Sequence, residues 1–94
     1  MAKVIVVAEV EDSGRWEEGF RTHGDLFRSQ TISSPIRFTM TDNNEVAILF
    51  EPNDLDTFFE ILDSPASAEA MAFDGVKRET VRFYVLDKEF DISG

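Results

Sequence analysis

The spacing of apolar and polar positions changes along this chain, and each change marks an element. Residues 3 to 10, KVIVVAEV, form a short run rich in β-branched side chains that stops at the polar EDSG, which predicts a central first strand. Beyond it, Trp16, Phe20 and His23 recur at offsets of four and three, the spacing of one helix face, and Phe27 continues that face if the helix persists. Ser13 is placed to cap this helix and Gly24 to end it, which leaves DLFRSQTISS as a connection.

From Pro35 to Thr41 the period becomes two. Ile36, Phe38 and Met40 fall on one face, and Arg37, Thr39 and Thr41 on the other. The polar turn DNNE separates this strand from VAILFE, residues 46 to 51, where Val46, Ile48 and Phe50 alternate with Ala47, Leu49 and Glu51. The pair is the strongest hairpin signal in the chain. Helical spacing then returns at Leu55, Phe58, Phe59 and Leu62, with Asn53 or Asp54 as the N-cap. Ser64 and Pro65 interrupt this helix and restart it over residues 65 to 73, with Gly75 as the stop. A last strand fits TVRFYVLD, residues 80 to 87, with Val81, Phe83 and Val85 opposite Arg82, Tyr84 and Leu86. Phe90 and Ile92 in the tail can anchor it to this subunit or to a partner.

The order is therefore β-α-β-β-α-β, and no linker or low-complexity segment divides residues 1 to 94. Four strands and two crossover helices suit an α+β, ferredoxin-like sandwich of one domain, with the helices covering one sheet face. The other face would carry Leu49, Tyr84 and Leu86, which are too apolar to leave wet. It would also carry Arg37, Glu51 and Arg82, which are too polar for a dry core, with Arg37 expected near Arg82, Glu51 or Glu9. Stacking two such sheets buries the first set and leaves the second paired or around a cavity, so a homodimer is expected.

Composition narrows the function classes. With 43% hydrophobic residues and nine phenylalanines among 94 residues, the chain can bury one core but has little surplus for a deep enclosed site. The absence of cysteine excludes disulfides, thiolate metal sites and cysteine nucleophiles. Nineteen acidic against nine basic side chains give a formal charge of -10, which repels phosphate backbones and anionic membrane surfaces, so neither nucleic acid nor membrane is an expected partner. No stretch is as apolar as a membrane span and the start lacks the pattern of a secretory signal, so a cytoplasmic location is expected. One histidine and scattered carboxylates make no metal-ligand set, and neither a glycine-rich phosphate loop nor a nucleophile elbow occurs.

The segments WEEGFRTH, DNNEVAILFE, NDLDTFFEIL and SPASAEAMAFDGV, in this order and spacing, resemble the dimeric α/β-barrel superfamily, which includes proteins similar to antibiotic-biosynthesis monooxygenases. The resemblance spans most residues between Lys3 and Leu86. It implies that two sheets assemble across a homodimer into a barrel, with a cavity between each sheet and its helices or near the interface. It also implies activities that range from cofactor-independent oxygenation of aromatic polyketides to cyclisation, beside members with no assigned activity.

Within that frame His23, the only histidine, is the candidate catalytic residue, because an imidazole titrates near neutrality and can move a proton. Trp16, Phe20, Phe38 and Phe50 are the candidate ligand-binding wall. The plainer alternative stands beside it: aromatics at helical spacing pack a core, and a histidine near a helix end makes a structural hydrogen bond. Two functions follow. One is a homodimer that binds or transforms a small, partly apolar carbonyl or aromatic compound without metal or cofactor. The other is a non-catalytic homodimeric binding or regulatory module.

Overall fold

The structure, a computed structural model, describes residues 2–93. Its elements are β1 (Val4–Glu9), α1 (Ser13–Phe20), α2 (Gly24–Ser29), β2 (Arg37–Met40), β3 (Glu45–Phe50), α3 (Leu55–Leu62), α4 (Pro65–Phe73), a 3-10 turn (Arg78–Thr80) and β4 (Arg82–Val85). All strand pairs are antiparallel and the order across the sheet is β2-β3-β1-β4, which is the ferredoxin-like arrangement expected. The β-branched run of the first strand thus lies in the middle of the sheet.

Register decides which residues share a face. Val4 pairs with Phe50 and Val85, so Val4, Val6 and Ala8 share a floor with Val46, Ile48 and Phe50, and none of these six is more than 7% exposed. Trp16, Phe20 and Phe58 close on this floor from the helices in one hydrophobic core. The opposite face carries Ile5, Leu49 and Tyr84 in one row and Val7, Ala47 and Arg82 in the next. Ile5, Val7, Ala47 and Leu49 are only half-buried there, and Tyr84 is exposed.

Three local expectations need correction. The first crossover is two helices. After Phe20 the chain tightens, Thr22 N–H donating to Gly19 O and His23 N–H to Phe20 O, and Gly24 then begins α2 instead of ending a helix. Asp25 in the first turn and Arg28 in the last suit the dipole of that short helix. Phe27 still reaches the core, 4.9 Å from Phe20 and 5.6 Å from Phe50 between ring centres. Second, Asp12 caps α1, because its Oδ1 accepts the Arg15 N–H at 3.0 Å, while the Ser13 N–H donates to Asn44 Oδ1. Third, the last strand is short, since Arg78–Thr80 turns as a 3-10 segment before it. Arg37 and Arg82 stand on opposite edge strands of this sheet. Glu51 pairs with Lys3 at 3.8 Å and accepts the Ser34 hydroxyl.

The remaining punctuation is as expected. Asp54 caps α3 and Ser64 caps α4, with Pro65 at the first helical position. In the hairpin turn Asn44 takes φ 58°, a left-handed geometry that asparagine tolerates, and its carbonyl accepts the Val10 N–H at 2.8 Å. Phe90 and Ile92 are exposed. Among the described residues no helix is long and apolar enough to cross a membrane.

Candidate active site

Helix α1 lays Trp16 and Phe20 across the sheet floor, their rings stacked at 4.6 Å. On the far side α4 presents small residues, Ser67 and Ala70, together with the unbranched Met71, and these do not fill the space above the strands. A cavity of about 80 Å³ results, floored by Val6, Ala8, Val46, Ile48 and Phe50 and walled by Trp16, Phe20, Leu26, Phe27 and Met71. Phe38 lies outside this lining. It packs edge-on against Trp16 at 5.5 Å and Phe20 at 5.2 Å, with the Arg21 guanidinium over its outer face. Of the residues singled out from the sequence, His23, Trp16, Phe20 and Phe50 are therefore brought together, and Phe38 backs them. Arg37 and Arg82 are exposed and Glu51 half-buried on the opposite sheet face.

The cavity also reaches polar groups that the sequence reading did not single out: Gln30, Ser67 and Asp74. Two of these hold backbone carbonyls, Gln30 with one of its two amide hydrogens and Ser67 with its only hydroxyl hydrogen. Gln30 donates through Nε2 to Phe58 O at 3.2 Å, and the Ser67 hydroxyl donates to Ile61 O at 2.6 Å. Asp74, 4% exposed at the end of α4, faces His23, whose Nε2 lies 2.9 and 3.1 Å from the two carboxylate oxygens. The closeness depends on Gly19, where a Cβ would sit 2.0 Å from Asp74 Oδ1. Nδ1 of His23 has no hydrogen-bond partner among the described residues. One imidazole nitrogen is thus held by a buried carboxylate while the other keeps its hydrogen-bonding capacity.

Burial pushes the Asp74 carboxyl above its ordinary value, and the hydrogen bond and charge of His23, with a smaller contribution from Arg15, oppose the rise. A carboxyl whose folded pKa is raised binds its proton more tightly in the fold. Its stabilising contribution is full below the unfolded value of about 3.9 and is lost as pH rises through the folded value. Relative to an Asp74→Asn variant, which carries no charge, the wild-type melting temperature should fall as pH climbs through that window and then level off. Paired melting curves across acidic pH measure this, and a difference that grows in favour of the wild type with rising pH would contradict it.

No protein-family model matches the chain, and no curated protein matches it in sequence. Solved structures share its fold. An antibiotic biosynthesis monooxygenase superposes with a TM-score of 0.67 at 11% identity, over 95% of this chain and 99% of that one. SnoaB, a cofactor-independent oxygenase from Streptomyces nogalater, gives 0.69 at 13% identity over 99% of this chain and 97% of its own. An EthD (ethyl tert-butyl ether) family protein from Bacillus halodurans gives 0.59 at 16% identity, covering 95% and 99%. The chain has the ferredoxin-like fold of the antibiotic-biosynthesis-monooxygenase structures along nearly its whole length, which is the resemblance drawn from its sequence segments.

Proposed function

We propose that this protein is a single-domain cytoplasmic homodimer that binds a small, partly apolar carbonyl or aromatic compound between sheet and helices and transforms it without a metal or cofactor. The observation that carries the reading is an apolar cavity lined in part by His23, an imidazole whose Nε2 is held by a buried carboxylate and whose Nδ1 has no hydrogen-bond partner among the described residues. In the reaction Nδ1 takes a proton from carbon or oxygen next to the ligand's carbonyl or ring. The imidazolium so formed stays paired with Asp74, and the ligand becomes an enolate or phenolate among the aromatic walls. No group of three His, Cys, Asp or Glu residues able to hold a metal occurs among the described residues.

The cavity limits the ligand. At about 80 Å³ it is smaller than the roughly 150 Å³ that receives benzene in an engineered core, so a ring enters only as movable side chains such as Met71 and Leu26 turn aside. The dimer would cover the half-buried row of Ile5, Val7, Ala47 and Leu49 together with the exposed Tyr84.

Trp16 is the only tryptophan and lines the cavity, so its fluorescence reports binding. Acetophenone and phenol should change it saturably, and an Ala70→Met variant that fills the cavity should abolish the change. Native mass spectrometry should find two chains and one ligand per chain. A monomer at micromolar concentration would remove the dimer, and fluorescence indifferent to both compounds would remove the ligand site. The non-catalytic module draws on a different observation: the His23–Asp74 contact also ties the start of α2 to the end of α4, as a purely structural pair would. Under that reading the dimer forms but neither probe binds.

A further inference from the structure

The carboxylate that holds His23 is itself seated by a glycine, and together they fix which imidazole nitrogen is free. Asp74 ends α4, its own N–H donating to Ala70 O at 3.0 Å, and its side chain turns under α1. It fits there because position 19 has no side chain: a Cβ would lie 2.0 Å from Oδ1 and 2.9 Å from Cγ, distances that real Cβ contacts do not reach. With Gly19 in place both oxygens sit on Nε2. The rings of Phe27 and Phe73 lie near the imidazole, with centres 6.4 and 6.3 Å away and planes at 84° and 77° to it.

We infer that Asp74, seated on Gly19, is a positioning residue that keeps the proton of neutral His23 on Nε2 and leaves Nδ1 as the proton-accepting atom of the cavity. A carboxylate accepts but cannot donate, so the nitrogen facing it must carry hydrogen and the other must carry the lone pair. The inference rests on the proposed function only for the use made of Nδ1. It also sharpens that function: a ligand engages neutral His23 through its own O–H or an acidic C–H, whereas one offering only lone pairs finds no donor there. The Ser67 hydroxyl hydrogen is committed to Ile61 O and does not supply the missing donor, and Gln30 spends one of its two amide hydrogens on Phe58 O.

Because His23 is the only histidine, ¹⁵N-histidine labelling reads this tautomer without overlap. The expected wild-type spectrum has a proton bonded to Nε2, shifted far downfield and slow to exchange with water. That signal should vanish in Asp74→Ala and in Gly19→Ala. In the double variant Gly19→Ala with Asp74→Ser, relief of the clash should raise the melting temperature above that of Gly19→Ala while the signal stays absent. If Gly19→Ala does not fold, the wild type and Asp74→Ala decide the matter. A wild-type proton on Nδ1, or a downfield Nε2 proton that survives Asp74→Ala, would overturn the inference. A wild type that shows the expected proton but binds neither acetophenone nor phenol would overturn the proposed function and leave the positioning of His23 standing.

Discussion

Replacing His23 by glutamine lowers turnover by about 10²- to 10⁴-fold, the range that general acid-base groups contribute, and leaves melting temperature and assembly mass near those of the wild type. The two halves of this result have separate causes. Glutamine presents an amide N–H that can still donate to Asp74, so the carboxylate, 4% exposed, is not left buried without a partner. The amide has no nitrogen lone pair of imidazole basicity, so nothing replaces Nδ1 as proton acceptor. Steady-state kinetics on a compound first found as a cavity ligand is the measurement, with thermal unfolding on the same samples. Unchanged turnover would remove His23 from the chemistry. A large fall in melting temperature would mean that the imidazole ring itself, and not its bond to Asp74, holds the start of α2 against the end of α4.

Phe58→Ala costs about 3–5 kcal/mol of stability and leaves the site groups untouched. Phe58 is 0% exposed, 5.4 Å from Phe50 and 5.3 Å from Phe59 between ring centres, and Phe50 is the aromatic that carries this packing to the cavity floor. Truncation loses the transfer energy of the ring and opens a void beneath α3. For a chain of this size such a loss lowers the melting temperature by at least about 12 °C, and it is a large share of the roughly 5–15 kcal/mol that holds a domain folded. Phe90→Ala is the matched control. That ring is 86% exposed, and its loss should move stability by no more than about 0.5 kcal/mol. Chemical denaturation of both variants measures the contrast, and similar losses would mean that Phe58 is not the anchor its burial makes it.

Parts of this architecture were legible in the sequence because they depend on local period. The alternation of Ile36, Phe38 and Met40 against that of Val46, Ile48 and Phe50 set both hairpin faces, and the Ser64-Pro65 pair marked the start of α4. The break between α1 and α2 was misread because one glycine serves equally as a stop or a start. The choice was made by the backbone bonds of Thr22 and His23, which composition does not encode. Ser13 and Asp12 are both good caps, and the competing acceptor for Ser13 N–H, Asn44, sits in a turn far along the chain. The candidate site divides in the same way. Trp16, Phe20 and His23 announced themselves by helical spacing, whereas Asp74 is 51 positions from His23 and looks like any polar residue at a helix end. Only the packing of Gly19 against α4 singles it out. Where Arg37 and Arg82 lie depends on strand order, which sends β2 and β4 to opposite edges of the sheet.

The central place of β1 has a kinetic consequence. Its residues pair on one side with β3 and on the other with β4, so Val4 meets both Phe50 and Val85, and the middle of the sheet joins the first strand to the last. Closing loops of that length before their contacts form slows folding relative to a helical bundle of equal size. During synthesis β1 and β3 can pair once the hairpin has emerged, but the β4 edge of β1 stays open until the final strand leaves the ribosome. Over that interval the nascent protein exposes an apolar strand edge whose rightful occupant has not yet been made.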